Sequence, residues 1–157
     1  MTELYRYTAC GLDYVYLQNG FEVRETKHGP AVAIKAARDL HETIARSIIS
    51  TPQRLRGQEV RFLRAQLKLS QDGLARVLQT KRGSVARWEA EPEKAIPGPV
   101  DSALRMFYAL KTAGHGVAER IVDLLADIDE LEHQISVIRQ TSFRETAEGW
   151  RAYPLAA

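Results

Sequence analysis

The chain has 157 residues, a formal net charge of +2 and an ordinary share of apolar residues. This length suits one compact domain or two small ones, and the composition allows a real hydrophobic core. No run approaches the roughly 18 apolar residues that span a bilayer, and the first residues lack the order of a secretory signal. We therefore expect a cytoplasmic protein without a membrane partner.

The residue types that support catalysis or metal binding form no recognisable pattern. Cys10 is the single cysteine, which excludes an internal disulfide, and no histidine shows the spacing of a zinc ligand. The motifs of phosphate-binding loops, zinc proteases and serine hydrolases do not occur. We expect neither a metal nor another cofactor, and we do not expect an enzyme.

Residues 5–34 have the composition of β-strands. Asn19-Gly20 lies between the strand-like runs 14–17 and 21–24, and such a pair is a strong hairpin signal because both residues tolerate positive φ. A second turn and a short strand at 32–34 complete a predicted three-stranded sheet. We see no internal repeat in the sequence.

A helix is expected over residues 36–49, where apolar residues recur at helical spacing. It would cover one face of the small sheet, which is not stable alone. Pro52 ends this helix because it disfavours helical backbone in the residue before it. Residues 1–51 form the first predicted domain, and 51–56 is the expected linker.

Three short helices are predicted between residues 57 and 90. The first begins near Gly57, the second is capped by the Ser70 hydroxyl, and the third ends at Ala90. Three helices joined by tight turns are the layout of a helix-turn-helix reader of duplex DNA. With a fourth helix at 100–111 they make the second predicted domain, residues 52–112.

Charge is unevenly distributed along the chain. Residues 52–87 contain nine basic and two acidic residues, whereas residues 117–148 contain eight acidic and three basic ones. A local positive field is the electrostatic footprint expected of a surface that binds DNA. The alternative is that both segments are simply solvated helix faces.

The third helix of the motif carries Arg82, Ser84 and Arg87 on its outward face, where a recognition helix meets base edges. An arginine can bind guanine O6 and N7 through two parallel hydrogen bonds, worth about 1–3 kcal/mol of discrimination. Double-stranded DNA is therefore the predicted partner. The residues expected to contact its phosphates are Gln71, Lys81 and Lys94.

This segment resembles the Xre/Cro-type helix-turn-helix domain of lambdoid phage repressors. The likeness rests on Leu69-Ser70-Gln71, Leu74-Ala75 and Val85-Ala86-Arg87-Trp88-Glu89. It implies that Gln71 anchors the DNA backbone and that Arg82 and Arg87 read bases. It also implies that Arg64 pairs with Glu89 as a structural contact between the first and third helices.

Two positions depart from the pattern of that family. Gln79 stands where a glycine in a left-handed turn is usual, which should cost about 1 kcal/mol. Gly83 stands where a base-contacting side chain is common, although a glycine also allows close approach of the backbone. The specificity expected from the resemblance is less sharply defined for this reason.

A wider resemblance connects the chain with regulators of the MqsA (YgiT-type) antitoxin family, which pair a small N-terminal β module with this DNA-binding domain. It rests on the segments 7–13, 19–21, 40–41, 87–89 and 96–99. The resemblance implies a cognate toxin protein as a second candidate partner. Zinc-bearing members hold CxxC pairs in the β module, and this chain has Cys10 alone, so zinc is not implied.

A long amphipathic helix is predicted at 117–140, and with a short tail it makes the third predicted domain, residues 113–157. Two heptad series of isoleucine and leucine, three residues apart, suit a two-stranded coiled coil that joins a homodimer. Their members are Ile121, Leu124, Ile128, Leu131, Ile135 and Ile138. An antiparallel helix pair and packing within the same chain are the alternatives, because Asp127 and Glu132 would face each other in a parallel pair.

The sequence thus predicts a mainly α-helical protein with a small N-terminal β-sheet, a lambda-repressor-like helix-turn-helix domain and a long C-terminal helix. The predicted function is sequence-specific transcriptional regulation by a dimeric repressor that binds a palindromic operator through the major groove. The alternative function is that of an antitoxin whose main role is to bind and neutralise a toxin protein.

Overall fold

A computed structural model of the chain describes residues 3–112 and 141–154. They fall into two compact units: unit 1 comprises Met1–Ile44 and Ile138–Ala157, and unit 2 comprises Ala45–Val137. The strands are β1 (Tyr5–Arg6), β2 (Val15–Leu17), β3 (Phe21–Thr26), β4 (Gly29–Ile34), β5 (Thr141–Thr146) and β6 (Gly149–Pro154). The helices are α1 (Ala37–Ser50), α2 (Gly57–Gln66), α3 (Gln71–Val77), α4 (Arg82–Ala90) and α5 (Gly98–Thr112).

The described part of the chain is mixed α/β, so the expectation of a mainly helical protein with one small N-terminal sheet was wrong. It contains five α-helices and six strands in two sheets. Residues 141–154, which follow the helix predicted at 117–140 and include most of the predicted short tail, form a β-hairpin, and no long C-terminal helix occurs in the described residues. The segment 113–140, with the six residues assigned to dimerisation, lies outside them.

Unit 1 is built on a four-stranded sheet in the order β1-β2-β5-β6. β1 and β2 are antiparallel, β2 and β5 run parallel, and β5 and β6 form an antiparallel hairpin. The side chains of Val15, Leu17 and Phe143 are buried on this sheet. β3 and β4 form a separate two-stranded sheet, preceded by the corner at Asn19-Gly20.

The hairpin predicted around Asn19-Gly20 does not form, because β2 and β3 belong to different sheets. The Asn19 side chain instead binds the backbone of Glu145: its amide donates to the carbonyl over 3.2 Å, and its oxygen accepts from the N–H over 2.8 Å. Gly20 has φ +75°, and a side chain there would collide with the ring of Trp150. The residue that was assigned to a local turn therefore joins β2 to a distant part of the chain.

Trp150 anchors β6 to the first turns of α1. Its backbone N–H donates to the Asp39 carboxylate over 2.8 Å, and its carbonyl accepts from the Thr43 hydroxyl over 3.4 Å. The indole N–H donates to the carbonyl of Lys35 over 3.2 Å. The ring is buried, so the segment that we expected to be a loose tail completes the core of unit 1.

The two hairpins of unit 1 share a sequence, Arg-Glu-Thr-x-x-Gly, at 24–29 and 144–149. In both, the threonine hydroxyl donates to the glycine carbonyl, over 2.7 Å from Thr26 to Gly29 and 2.6 Å from Thr146 to Gly149. Both glycines have φ near +105°, a conformation that suits a residue without Cβ. The chain therefore contains an internal repeat that our reading of the sequence missed.

Unit 2 contains the end of α1 and the helices α2–α5, close to the bounds predicted for 57–112. Gly57 begins α2 at a place where a Cβ would collide with the backbone carbonyl of Trp88. The first amides of α2 are satisfied by the loop after α4, since Gly57 N–H donates to the Lys94 carbonyl and Gln58 N–H to the Pro92 carbonyl, each over 3.2 Å. The buried apolar side chains of this unit include Leu55, Val60, Leu63, Leu74, Val85, Ile96, Leu104 and Tyr108.

Arg105 on α5 is completely buried and holds the end of α1 in place. Its guanidinium donates to the carbonyls of Ile48, Ile49 and Thr51 over 2.9–3.2 Å, and also to the carbonyl of Gln53. It pairs with Asp101, one turn earlier, over 2.6 Å. The last carbonyls of a helix have no partner within the helix, and a cation there also interacts favourably with the helix dipole.

Replacing Arg105 with methionine should lower the free energy of unfolding of unit 2 by about 3–5 kcal/mol, because Asp101 and four carbonyls lose a buried partner. The measurement is urea denaturation of the full chain followed by far-ultraviolet circular dichroism. Arg38→Met is the matched control: Arg38 is an exposed residue of α1, and its loss should change stability by less than about 0.5 kcal/mol. Equal stability of the two variants would contradict the role given to Arg105.

Candidate nucleic-acid interface

The helix-turn-helix segment consists of α3, a short turn and α4. The Ser70 hydroxyl accepts a hydrogen bond from Gly73 N–H over 2.9 Å and so caps α3. Leu74 and Ala75 are buried, and Ala75 is small enough for close contact between helices. Gln79 in the turn has φ +52°, so the turn is left-handed although the residue is not glycine.

Arg64, Gln71 and Glu89 form a network that joins α2, α3 and α4. Arg64 donates to both carboxylate oxygens of Glu89, over 2.6 and 2.9 Å, and to the carbonyl of Leu69 over 3.0 Å. The Gln71 amide donates to Glu89 over 3.0 Å. A bidentate pair of this kind fixes the direction of both side chains. α4 is therefore fixed to the other two helices at its C-terminal half.

The environment of Glu89 has opposing effects on its pKa. Burial raises the pKa of this carboxyl, whose side chain is 6% exposed, but the hydrogen bonds from Arg64 and Gln71 and the charges of Arg64 and Arg61 lower it by more. The pKa of Glu89 therefore lies below its usual value of 4.5. The hydrogen bonds to Glu89 likewise raise the pKa of Arg64, so both members of the pair are charged at neutral pH.

The exposed side of α4 carries the residues predicted to read bases. Arg82 and Arg87 are exposed, Ser84 is half-buried, and Lys81 is exposed at the start of the helix. Val85, three residues after Arg82, is buried, and its contact with the core fixes the orientation of the helix. Lys81, Arg82 and Arg87 are thus exposed around α4 and Ser84 is half-buried, and we call these four residues the α4 surface.

Ion pairing differs among the exposed cations of the described residues. Lys81, Arg82 and Arg87 form no ion pair with a carboxylate within residues 3–112 and 141–154. Elsewhere on the described surface, exposed pairs are common: Arg24–Glu22, Lys35–Glu145, Arg38–Glu42, Arg76–Asp72, Lys94–Glu91 and Arg151–Glu148. The positive charge of the α4 surface is therefore not neutralised locally and is free to attract an anion.

Gly83 lies between the two arginines of the α4 surface. No atom lies within 4 Å of the position that a Cβ would occupy there, so the glycine is not required by packing. It is exposed and leaves a flat strip of backbone between Arg82 and Arg87. A helix with such a strip can approach a groove more closely than one with a side chain at this position.

The structure separates the three residues predicted to contact phosphates. Lys81 is exposed beside the two arginines, whereas the Lys94 ammonium is paired with Glu91 over 2.9 Å on the loop after α4. One amide hydrogen of Gln71 is bound to Glu89, which leaves its second hydrogen and its oxygen. Sequence reasoning gave no role to Lys68, an exposed cation in the left-handed turn before α3 with φ +56°.

A second cluster of titratable groups occurs in unit 1. The Tyr7 hydroxyl and His41 Nε2 lie 2.9 Å apart with their rings stacked, and the Cys10 thiol donates to the Tyr7 carbonyl over 3.1 Å. Burial lowers the pKa of His41 and raises that of the Cys10 thiol, which favours the neutral form of each. Among the described residues, no three metal-ligating side chains lie close enough to hold an ion.

No family model, curated protein or solved structure was found to match the chain. Among the helices of residues 3–112, none is long and apolar enough to cross a membrane. The α4 surface is therefore identified as a candidate interface by the exposure and charge of its own residues.

Replacing Gln79 with glycine should raise the free energy of unfolding by about 1 kcal/mol, because glycine adopts φ +52° without a steric penalty. The shift in thermal midpoint measures this. Ala86→Gly, within α4, is the control and should lower stability by about 1 kcal/mol, since its backbone is helical. A loss of stability in both variants would show that the turn is not left-handed.

Glu89→Gln should lower the free energy of unfolding by about 3 kcal/mol at neutral pH, because Arg64 loses its charged partner. Since the pKa of Glu89 is lowered in the folded state, its contribution is present above the unfolded value and is lost as the pH falls through the folded one. The difference between wild type and variant should therefore shrink below about pH 4.5. Urea denaturation across this range would reveal a constant difference if the carboxylate were not coupled in this way.

Proposed function

We propose that the protein binds double-stranded DNA in a sequence-specific manner and regulates transcription from the bound site. The α4 surface enters the major groove, where Arg82, Ser84 and Arg87 contact base edges. Lys81 binds a phosphate at the rim of the groove. The protein then acts as a repressor, because a protein bound at an operator excludes polymerase from the same stretch of duplex.

The observation that carries this proposal is the contrast between two arginines of one motif. Arg64 is bound to Glu89 inside the network, whereas Arg87 is exposed and forms no ion pair in the described residues. The backbone of Arg87 is held in place because α4 is fixed by buried contacts, while its guanidinium remains exposed to solvent. This combination suits bidentate binding of guanine, which needs a directed donor pair.

The network around Glu89 supports the same proposal in a second way. Binding in the major groove requires α4 to keep its orientation while its outer side contacts the duplex. Arg64 and Gln71 hold Glu89, two residues after Arg87, from the neighbouring helices. α4 is therefore already ordered before DNA binds, and binding does not have to offset the loss of conformational entropy that ordering this helix would cost.

The test is selection of bound sequences from a pool of random duplexes, followed by affinity measurements with the selected and an unrelated duplex at stated salt. Arg87→Ala should weaken binding to the selected duplex by about 10- to 100-fold and binding to the unrelated duplex much less. Lys81→Ala should weaken both alike and reduce the slope of affinity against salt by about one ion.

Arg38→Ala is the matched control, because this arginine is exposed but lies in unit 1 and is paired with Glu42. It should leave both affinities and the salt slope unchanged. If Arg87→Ala reduced binding to the two duplexes equally, Arg87 would contact phosphate only. Failure of the selection to give any consensus would reject sequence-specific binding.

A further inference from the structure

The hairpin of β3 and β4 projects from unit 1 as a sheet of two strands. Residues 22–28 are all exposed, and the Val23 side chain is exposed to the extent of 55%. Contact of the hairpin with the rest of unit 1 occurs at its base, where the rings of Phe21 and Tyr5 stack at 4.9 Å. A sheet of two strands is only marginally stable in water, and so this hairpin gains from an additional strand.

The register of the hairpin shows which backbone groups are available. Thr26 is opposite Gly29 across a two-residue turn, so the even-numbered residues of β3 hydrogen-bond with β4. The N–H and carbonyl groups of Phe21, Val23 and Glu25 therefore point away from β4. No strand among the described residues pairs with this outer edge of β3.

The other long edges of unit 1 are protected. On the outer edge of β6, the N–H and carbonyl of Trp150 are bound by Asp39 and Thr43 of α1. The outer edge of β4 is interrupted by Pro30, which has no N–H to donate. The edge of β3 carries no such protection and has six residues without a proline.

The repeated hairpin shows what this edge can bind. β5 corresponds to β3 in the Arg-Glu-Thr-x-x-Gly repeat, and the edge of β5 that corresponds to the open edge of β3 is paired with β2. The consequence is visible at equivalent positions: Phe143 on β5 is 2% exposed, whereas Val23 on β3 is largely exposed. In unit 1 the edge of the second hairpin that corresponds to the open edge of β3 therefore pairs with a further strand, β2.

We propose that the outer edge of β3 pairs with β3 of a second copy of this chain, antiparallel and about a twofold axis at Val23. The two hairpins then form one four-stranded sheet, in which Val23 faces Val23 of the second copy. In this register Glu22 stands opposite Arg24 of the second copy, and Arg24 opposite its Glu22. The inference does not depend on DNA binding.

Charge and apolar surface both favour this register. Glu22 and Arg24 lie on one face of β3 and are paired within the chain over 2.7 Å, so each can exchange its partner for the opposite charge of the second copy. They occupy positions where the backbones of an antiparallel pair approach most closely, and opposite charges there stabilise the pair. On the other face, the exposed Val23 lies against Val23 of the second copy and is shielded from water.

The first test is sedimentation equilibrium of the full chain over a range of concentrations. Wild type should show a dimer, and Val23→Pro should show a monomer, because proline removes an N–H that points away from β4 and blocks the edge. Val32→Pro is the matched control: its N–H also points out of the hairpin, but on the edge that Pro30 already interrupts. It should leave the dimer intact, and circular dichroism should show that both variants are folded.

A second test uses charge and does not depend on tolerating a proline. Glu22→Arg alone and Arg24→Glu alone each place like charges opposite one another and should raise the dissociation constant of the dimer about tenfold or more. An equimolar mixture of these two variants should form a mixed dimer of at least wild-type stability, because opposite charges face each other again.

A wild-type chain that stays monomeric would overturn the proposal. It would also be overturned by a dimer that persists in Val23→Pro, or by variants of Glu22 and Arg24 that show no preference for each other. An edge that instead captures a strand of a different protein would leave the isolated chain monomeric and give the first of these results.

Discussion

The buried pair of Arg105 and Asp101 is the interaction on which the arrangement of unit 2 depends. The guanidinium binds the last carbonyls of α1, and the carboxylate accepts the N–H of Leu55 over 2.6 Å. The segment between α1 and α2, which the sequence presents as a linker, is therefore fixed at both ends by residues of α5. An arginine without solvent contact is stable only when all of its donors are used, and the backbone around Thr51 supplies the acceptors.

In the candidate interface, too, the position of a carboxylate determines whether an arginine is bound within the fold or exposed at the surface. Glu89 captures Arg64, and the resulting network fixes α4 against α2 and α3. Arg82 and Arg87 have no carboxylate partner in the described residues and keep their charge at the surface. Arginines thus serve both fold stability, at Arg64 on α2, and the proposed DNA contacts, at Arg82 and Arg87 on α4. The position of Glu89 determines which of them is bound within the fold.

Local signals predicted unit 2 well and unit 1 poorly. The caps, the helical spacing of apolar residues and the small Ala75 are all properties of neighbouring residues, so α2–α5 could be predicted from the sequence. The pairing of β2 with β5 depends on residues more than a hundred positions apart, which no local pattern reveals.

Asn19-Gly20 misled us because the Asn19 side chain binds Glu145. The repeat at 24–29 and 144–149 was the one sequence signal for the second hairpin, since the first occurrence was already assigned to a turn. The outward position of Arg87 could be predicted from helical spacing. That no carboxylate among the described residues pairs with it could not be predicted, because this depends on the three-dimensional positions of acidic side chains.

The junction of Asn19 with Glu145 has a consequence for biosynthesis. The two residues are 126 positions apart, a distance that a ribosome covers in on the order of ten seconds. Throughout that interval the side of β2 that pairs with β5 is unoccupied, because β5 has not been synthesised, whereas the partners of α2–α5 are much closer in the chain. The helices of unit 2 should thus fold first, and the N-terminal strands should remain without their partner strands until β5 has been synthesised. During this interval the apolar residues of these strands are exposed to solvent and are available to chaperones.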